Sequence, residues 1–267
     1  MSVRTVARKD FADAGRSKAL WAVTVLVLFT TAGITALVGM ASDQPTGEVF
    51  QLAFQLAVLT LPIVALVLAK GAITGERESG SLRVLLSLPP SRYDVLLGKF
   101  LGRTALMLVA TLAGGAATGL VVVTTLGDGV ELLVPFVASL GIMTVAFVAI
   151  GVGISAASAS DGRANAFAVT VYMVFVALWN LVQAGVQGAA VELGLVEVGS
   201  QPAWLEFVAV LPPNRAAVAA YQSAVAGGQV FAADPFASVW FPVALLLAWI
   251  VLPVALGYRR LRDADIA

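Results

Sequence analysis

The fold is decided by residues 74–103, which read TGERESGSLRVLLSLPPSRYDVLLGKFLGR. This stretch is a long polar interruption in a sequence that is otherwise strongly apolar. Leu82, Leu85 and Leu86 have the spacing of one apolar helical face. Pro89 ends that short helix, because proline has no N–H and disfavours helix in the residue before it. The pattern predicts a short amphipathic helix of the kind that docks at a membrane surface.

A second helix is predicted to start directly after the proline break. Ser91 is the expected N-cap, and Asp94 follows three positions later, as in a capping box. From there the chain runs into the next apolar segment. The stretch therefore links two apolar segments through a docking helix, followed by the capped N-terminus of the next helix.

The composition is typical of a membrane protein and argues against an enzyme. Apolar residues make up 60% of the 267 residues and charged residues 12%, whereas a soluble domain carries about 25% charged residues. Cysteine and histidine are both absent, so disulfides, thiolate chemistry, histidine bases and the usual soft-metal ligands are excluded. A phosphate-binding GxxxxGK[ST] loop is also missing, because Phe100 follows Gly98-Lys99 where Ser or Thr is needed. We expect no cofactor, no metal and no ATP hydrolysis by this chain alone.

Six apolar runs approach or exceed the roughly 20 residues that a helix needs to cross a bilayer. They cover residues 19–40, 51–72, 101–126, 132–157, 164–186 and 239–258. Long runs without alternation favour helices over barrel strands. The sequence predicts an all-α, polytopic membrane protein with six transmembrane helices, formed as a single domain over residues 1–267.

The distribution of charge predicts which side each loop faces. If the N-terminus is cytoplasmic, all of the 16 lysines and arginines except Arg215 fall in cytoplasmic segments. The outer loops are acidic instead, so the positive-inside rule is met. We therefore expect a multi-pass protein of the cytoplasmic membrane with both termini in the cytoplasm.

The N-terminal residues 1–18 are basic, and Val3, Val6 and Phe11 fall near one helical face. This pattern predicts an amphipathic helix on the membrane surface, with a solvated basic tail as the alternative. Residues 188–237 are apolar but broken by proline and glycine into pieces too short to span. They predict outer re-entrant or interfacial helices. Four aromatic residues are expected to anchor this region at the level of the headgroups. Trp204, Phe207 and Tyr221 belong to it, and Trp240 lies at the start of the last span.

Three amides give the strongest polarity inside a predicted span. Asn180, Gln183 and Gln187 share one face of the fifth span or its extension. Amides in this position either line a translocation path or hydrogen-bond neighbouring helices. They are the candidate substrate path.

Residues 74–99 resemble the permease subunits of ABC transporters of the type-2 exporter family. That family runs E-x-x-x-G-(T/S)-L, then L-L-S-x-P, S-R and G-K at these spacings. The matching residues here are Glu76, Arg77, Glu78, Ser79, Gly80, Ser81, Leu82, Leu85, Leu86, Ser87, Pro89, Ser91, Arg92, Gly98 and Lys99. The N-terminal VARKDFADAGRSK is also similar to permeases that help to mature the copper centres of nitrous oxide reductase.

The resemblance implies a docking role for this loop. In the family, residues corresponding to 1–18 form a connecting helix and the loop at 74–99 carries the coupling helix, which seats in a separate ATP-binding cassette subunit. Two such subunits and two permease subunits, identical or different, work together in the lipid bilayer, and no nucleic acid is involved. Leu82, Leu85 and Leu86 would be buried at that contact, while Arg83 and the Glu76–Glu78 cluster would fix its register.

The function that the resemblance implies is ATP-driven transport by alternating access. A secondary carrier is the first alternative, although it would need ionisable groups at mid-membrane and often an inverted repeat. The second is a non-transporting scaffold or assembly factor, for example for metalloenzyme maturation. Such a factor would have no need of a cassette-docking helix.

Overall fold

The described part of the chain forms helices joined by turns and short loops, with no strands among the described residues, which confirms the all-α prediction. The structure is a computed structural model that describes residues 2–15, 18–41, 45–79, 91–227 and 234–263. Its α-helices are α1 (Val3–Gly15), α2 (Lys18–Leu28), α3 (Ile34–Ala41), α4 (Thr46–Lys70), α5 (Thr74–Glu78), α6 (Arg92–Val121), α7 (Leu133–Ala157), α8 (Asp161–Tyr172), α9 (Trp179–Glu192), α10 (Ala203–Val210), α11 (Pro213–Val225) and α12 (Trp240–Arg262). Short π-helical turns occur at Phe29–Gly33, Val122–Leu126 and Met173–Ala177, and 3-10 turns occur at Val130–Leu132 and Pro235–Ala237.

Five helical segments in the described ranges are long and apolar enough to cross a membrane. They are Trp21–Ala41, Thr46–Glu78, Arg92–Thr125, Val130–Ala157 and Trp240–Arg262. A sixth crossing exists if the pair Asp161–Ala177 and Trp179–Glu192, which is bent by 66°, forms one broken span. Five of the six predicted spans are thus helices with bounds near those expected.

The fifth predicted span, 164–186, differs from a straight helix. A π-helical turn ends at Ala177, and Leu178 follows with φ −109° and ψ 0°, outside the α-helical region. Two hydrogen bonds connect the region of the break to neighbouring helices. The Asn214 amide nitrogen donates to the Phe175 carbonyl at 3.1 Å, and the Trp179 indole donates to the Val208 carbonyl at 3.2 Å. A freed polar group inside a membrane protein has to be paired in this way.

The helix α7 lies at the centre of the bundle, in contact with α4, α6, α11 and α12. An aromatic cluster fills part of this core: Phe54 stacks on Tyr221 with ring centres 4.4 Å apart, and Phe136 meets Phe50 edge-on at 5.3 Å. Tyr221 is 2% exposed, so its prediction as a headgroup anchor was wrong. The cause is the narrow alanine face of α11, which packs that helix into the bundle beside α7.

Small residues allow the helices to approach closely. A Cβ atom added to Gly153 of α7 would lie 2.5 Å from the Pro253 carbonyl oxygen of α12, and one added to Gly257 would lie 2.9 Å from the Gly153 Cα atom. Within lipid, helices associate through such packing, since burial from water drives little of it. The contact fixes α12 against α7 and thereby sets the position of its last turns.

Several helix ends gather at one end of the bundle. We call it the polar end and define it by Asp10, Glu76, Lys99, Arg103 and Asp161. It contains α1, α5, the start of α6, the link between α7 and α8, and the last turn of α12. Contacts among these elements build the candidate site.

Candidate coupling site

The start of α6 is fixed by its own sequence. Ser91 Oγ accepts from the Asp94 N–H at 3.1 Å, and Asp94 Oδ2 accepts from the Ser91 N–H at 3.0 Å. This reciprocal pair is the predicted capping box. It satisfies two backbone donors that would otherwise have no helical partner.

Lys99 is the centre of a buried ion network that joins α1, α5 and α6. Its Nζ atom lies 3.1 Å from Asp10 Oδ1 and 2.5 Å from Glu76 Oε1. Arg103, one turn further along α6, places its Nε atom 3.0 Å from Asp10 Oδ2. Asp10 and Lys99 are both buried. Breaking a buried pair by removing one partner costs about 3–5 kcal/mol, because the other charge is left without compensation.

Two glycines bring α1 close enough for this network to form. A Cβ atom added to Gly98 would lie 2.5 Å from Val6 Cβ, and one added to Gly102 would lie 2.8 Å from Asp10 Oδ2 and 3.0 Å from the Ala7 carbonyl oxygen. Asp10 was not among the site residues predicted from the sequence. Its signal was available, because Asp10 shares a helical face with Val3 and Val6, and an acid on an apolar face requires a buried partner.

A second set of contacts fixes the turn between α4 and α5 against the link between α7 and α8. Ser155 Oγ accepts from the N–H groups of Ile73 and Thr74, at 2.9 and 3.1 Å. Lys70 Nζ lies 3.1 Å from Asp161 Oδ2. Each of these bonds joins residues that are more than 80 positions apart in the chain.

The charged residues of α5 continue this contact. The Arg77 guanidinium donates to the Ser158 carbonyl at 2.8 Å, and Glu78 Oε1 accepts from the Asp161 N–H at 2.7 Å. Asp161 is the first residue of α8, so Glu78 places a negative charge at a helix N-terminus, where the helix dipole favours it. The end of α5 is therefore attached to the start of α8.

Arg92 attaches the other flank of the loop to the last turn of α12. Its Nη1 atom donates to the carbonyls of Leu261 and Arg262, both at 2.7 Å, and the last carbonyls of a helix have no partner within the helix. Tyr93 also meets Tyr258 edge-on, with ring centres 5.5 Å apart. This pairing joins the first turn of α6 to α12.

The charge at this helix end is positive. The hydrogen bond from Arg262 lowers the pKa of the Asp263 carboxyl below its usual value, and the charges of Arg262, Arg260 and Arg92 lower it further. Asp263 is therefore ionised over the physiological range. The last turn of α12 carries three arginines, Arg259, Arg260 and Arg262. Their positive charges interact favourably with the negative end of the helix dipole.

The predicted docking residues divide into two groups. Glu76, Glu78, Ser91, Arg92 and Lys99 lie at the polar end, and each is held by the contacts given above. Others fall outside the described residues, namely Gly80, Leu82, Arg83, Leu85, Leu86, Ser87 and Pro89. The segment they belong to enters from α5, which is attached to α8, and leaves into α6, which is attached to α12.

The predicted substrate path lies elsewhere. Asn180, Gln183 and Gln187 lie on α9, beyond the break at Leu178. Asn180 is exposed, and its Oδ1 accepts from the Arg215 guanidinium of α11, while Gln183 and Gln187 are half-buried. Arg215 was not predicted as a partner of these amides, although it is the single basic residue that the sequence assigns to the outer side.

Within the described ranges, no cluster of three or more Asp or Glu residues is placed to hold a metal ion. The polar end holds its carboxylates in ion pairs with Lys70, Lys99 and Arg103.

Comparisons with known proteins agree with this architecture. The profile of the ABC-2 family transporter proteins matches residues 4–266. The chain is 29% identical over 269 residues to the probable ABC transporter permease protein NosY of Pseudomonas aeruginosa, covering 96% of this chain and 94% of the relative. It is 31% identical over 281 residues to the probable ABC transporter permease protein NosY of Stutzerimonas stutzeri, covering 97% and 98%. The chain therefore belongs to the ABC-2 family of transporter proteins.

Proposed function

We propose that this ABC transporter permease is driven by a separate ATP-binding subunit, which binds the segment at 79–91 and makes the permease alternate between two access states. The working assembly contains two ATP-binding subunits and two permease subunits, and it exports its substrate across the cell membrane. The polar end, with both termini, faces the cytoplasm. The observation that carries the proposal is the attachment of both flanks of this segment to transmembrane helices.

The two attachments give the segment a defined route for its displacement. Glu78 and Arg77 hold the incoming flank to the start of α8, and Arg92 holds the outgoing flank to the end of α12. The Lys99 network adds α1 to the same unit. Movement of the docked segment would therefore shift α8 and α12 at their ends, and α8 leads into the bent pair.

The placement of charge supports a driven permease over a secondary carrier. Among the described residues, the buried charged side chains are Asp10 and Lys99, and both lie at the polar end. A carrier that couples to protons or ions uses ionisable groups near the middle of the membrane. The buried charges of this chain instead support the flanks of the docking segment.

A second candidate is a role in metalloenzyme maturation. It is favoured by the similarity of residues 6–18 to permeases that serve nitrous oxide reductase. If the maturation role includes transport, both candidate functions require the docking segment at 79–91 to bind an ATPase. They differ if the chain acts as a scaffold, since a scaffold binds no ATPase.

The test is to purify the tagged full-length chain in detergent and assay the eluate for ATPase activity. Leu85→Asp is the informative variant, because loss of a central apolar anchor commonly costs an interface 2 kcal/mol or more. Leu195→Asp is its matched control, since Leu195 is an exposed leucine that follows α9 and is not part of the polar end. We expect the ATPase to copurify with the wild type and the control and to be lost from Leu85→Asp.

Membrane insertion and the thermal midpoint must be unchanged in Leu85→Asp for the result to count. If a stable, inserted Leu85→Asp chain retains the ATPase and transports normally, docking through this segment is disproved. A wild-type chain that purifies without any ATPase would favour the scaffold or the carrier.

A further inference from the structure

The helix α12 separates two apolar grooves near the polar end. The first lies between α6 and α12, has a volume of about 440 Å³ and is lined by Leu97, Phe100 and Val254 among others. The second lies between α12 and the α7–α8 pair, has a volume of about 540 Å³ and is lined by Ile154 and Phe167 among others. The lining of both grooves is apolar over most of its surface.

Both grooves open at one arginine. Arg259 lines each of them, Arg262 also lines the first, and Arg260 also lines the second. Arg262 pairs with Asp263 at 2.9 Å. The ion pairs found among the described residues include none for Arg259 or Arg260. The shared mouth is therefore positively charged.

The ridge between the grooves is exposed and apolar. Leu252 and Leu256 are 57% and 58% exposed, as expected of side chains that face acyl chains. Tyr93 and Tyr258 line the first groove close to its charged mouth, and tyrosine is enriched at the level of the headgroups. From Arg262 to Ile250 the groove follows 12 residues of helix, or about 18 Å at the helical rise. The grooves thus run from the headgroup level into the hydrocarbon.

One further polar group lies along the second groove. Ser158 lines it, and its buried hydroxyl oxygen has no hydrogen-bond partner among the described residues. A buried hydroxyl without a partner is unfavourable. A ligand with acceptor oxygens at the mouth of the groove would supply a hydrogen-bond partner for the Ser158 hydroxyl after a small rotation of the serine side chain.

We propose that α12 binds one bilayer phospholipid with an anionic headgroup. Its phosphate lies against Arg259, and its two acyl chains lie in the two grooves, on either side of the ridge formed by Leu252 and Leu256. The shape requires a ligand with one charged group and two apolar chains. Basic sites between transmembrane helices bind anionic headgroups, and a zwitterionic headgroup would bring a cation close to Arg260.

Native mass spectrometry of the full-length chain tests this proposal. The purified chain is mixed with equal amounts of phosphatidylglycerol and phosphatidylcholine that carry the same acyl chains, and the retained adducts are counted. We expect at least a fivefold preference for phosphatidylglycerol, and we expect Arg259→Gln to lower the preference about fivefold. Arg8→Gln, which removes an exposed charge on α1, should leave it unchanged.

A second variant tests the grooves themselves. Val254→Trp narrows the first groove, so it should lower retention of both lipids while the preference between them stays the same. Equal retention of the two lipids by the wild type would overturn the proposal, as would equal effects of Arg259→Gln and Arg8→Gln. High-yield disulfide crosslinking of a Leu256→Cys variant to a second copy in membranes would also overturn it, because the ridge would then be covered by protein.

Discussion

The side chains of Asp10 and Lys99 show how a membrane protein can bury opposite charges without burying them in lipid. Both are at the polar end, and both are shielded by the approach of α1 to Gly98 and Gly102. Each charge is stable there because the other is present. Because of this dependence, replacing one of the two residues and replacing both should have different effects on the free energy of unfolding.

Lys99→Met removes one charge and leaves Asp10 with Arg103 alone. We expect the free energy of unfolding to fall by about 3 kcal/mol, since a buried charge loses a partner. The measurement is the thermal midpoint in detergent, with Lys9→Met on the exposed face of α1 as the control. Adding Asp10→Leu to Lys99→Met should recover part of the loss. Equal midpoints for Lys99→Met and Lys9→Met would show that the network does not stabilise the fold.

Two glycines of α7 differ in what surrounds them and provide a matched pair. Gly153→Ala would place a Cβ atom 2.5 Å from the Pro253 carbonyl oxygen, whereas Gly141→Ala would meet only Leu108 Cδ2 at 3.7 Å. Backbone at 2.5 Å has to move, and overpacking costs about 1–3 kcal/mol. We expect a lower thermal midpoint for Gly153→Ala. Gly141→Ala should be neutral or stabilising by about 0.5–1 kcal/mol, because alanine favours helix. A similar midpoint for the two variants would contradict the close contact between α7 and α12.

At the scale of single residues, the sequence predicted what depends on near neighbours in the chain. The capping box of Ser91 and Asp94 is local, and it was predictable for that reason. The partners of the charged residues are distant in the sequence. Glu76 is 23 positions from Lys99, Glu78 is 83 positions from Asp161, and Lys99 is 89 positions from Asp10. Those pairs follow from how the helices pack, and the sequence pattern contains no information on that packing.

Among the elements, α12 depends on a residue from α6 for its C-terminus. Arg92 pairs two carbonyls of the last turn, and hydrogen bonds from charged groups contribute about 1.5–3 kcal/mol. Arg92→Ala should therefore fray this turn. We expect faster amide hydrogen exchange over residues 258–263 than in the wild type.

Arg4→Ala is the control, because Arg4 is an exposed arginine of α1 at the same end of the molecule. Exchange over 258–263 that is as slow in Arg92→Ala as in Arg4→Ala would show that α12 needs no cap. In that case the route from the docking segment to α12 would be lost as well.

The bent pair of α8 and α9 is the element that the sequence predicted least well. Residues 164–186 contain no charge or proline, so composition alone gives one continuous span. The break is connected to other elements by hydrogen bonds: Asn214 of α11 donates to the Phe175 carbonyl, and Trp179 donates to the Val208 carbonyl of α10. A break that is stabilised by tertiary contacts leaves little signal in its own segment.

Across the whole molecule, the contacts place both ends of the described chain at the polar end. Asp10 contacts Lys99, and Arg92 contacts the carbonyls of residues 261 and 262. If the polar end lies on one side of a membrane, the number of crossings is even, and counting the bent pair as one broken span gives six. The side of the membrane that each end faces is a separate matter, for which the charge distribution makes the prediction.

The absence of cysteine allows that prediction to be tested with single substitutions. Ala159→Cys lies in the link between α7 and α8, and Val198→Cys lies in the loop between α9 and α10, where Val198 is 87% exposed. In intact cells, a membrane-impermeant maleimide should label Val198→Cys and should not label Ala159→Cys until the cells are opened. Labelling with the reverse pattern would invert the topology and would disprove a cytoplasmic docking segment.

The contact between Arg92 and the final turn of α12 also bears on how the protein is made. The acceptors of Arg92 lie 169 and 170 positions later in the chain, so they leave the ribosome well after the docking segment does. A chain that stops before residue 261 would insert most of its helices yet leave this flank unattached. Synthesis of α12 is thus a condition for presenting the segment in its attached form, and we expect chains that end before α12 to compete poorly for the proposed ATPase.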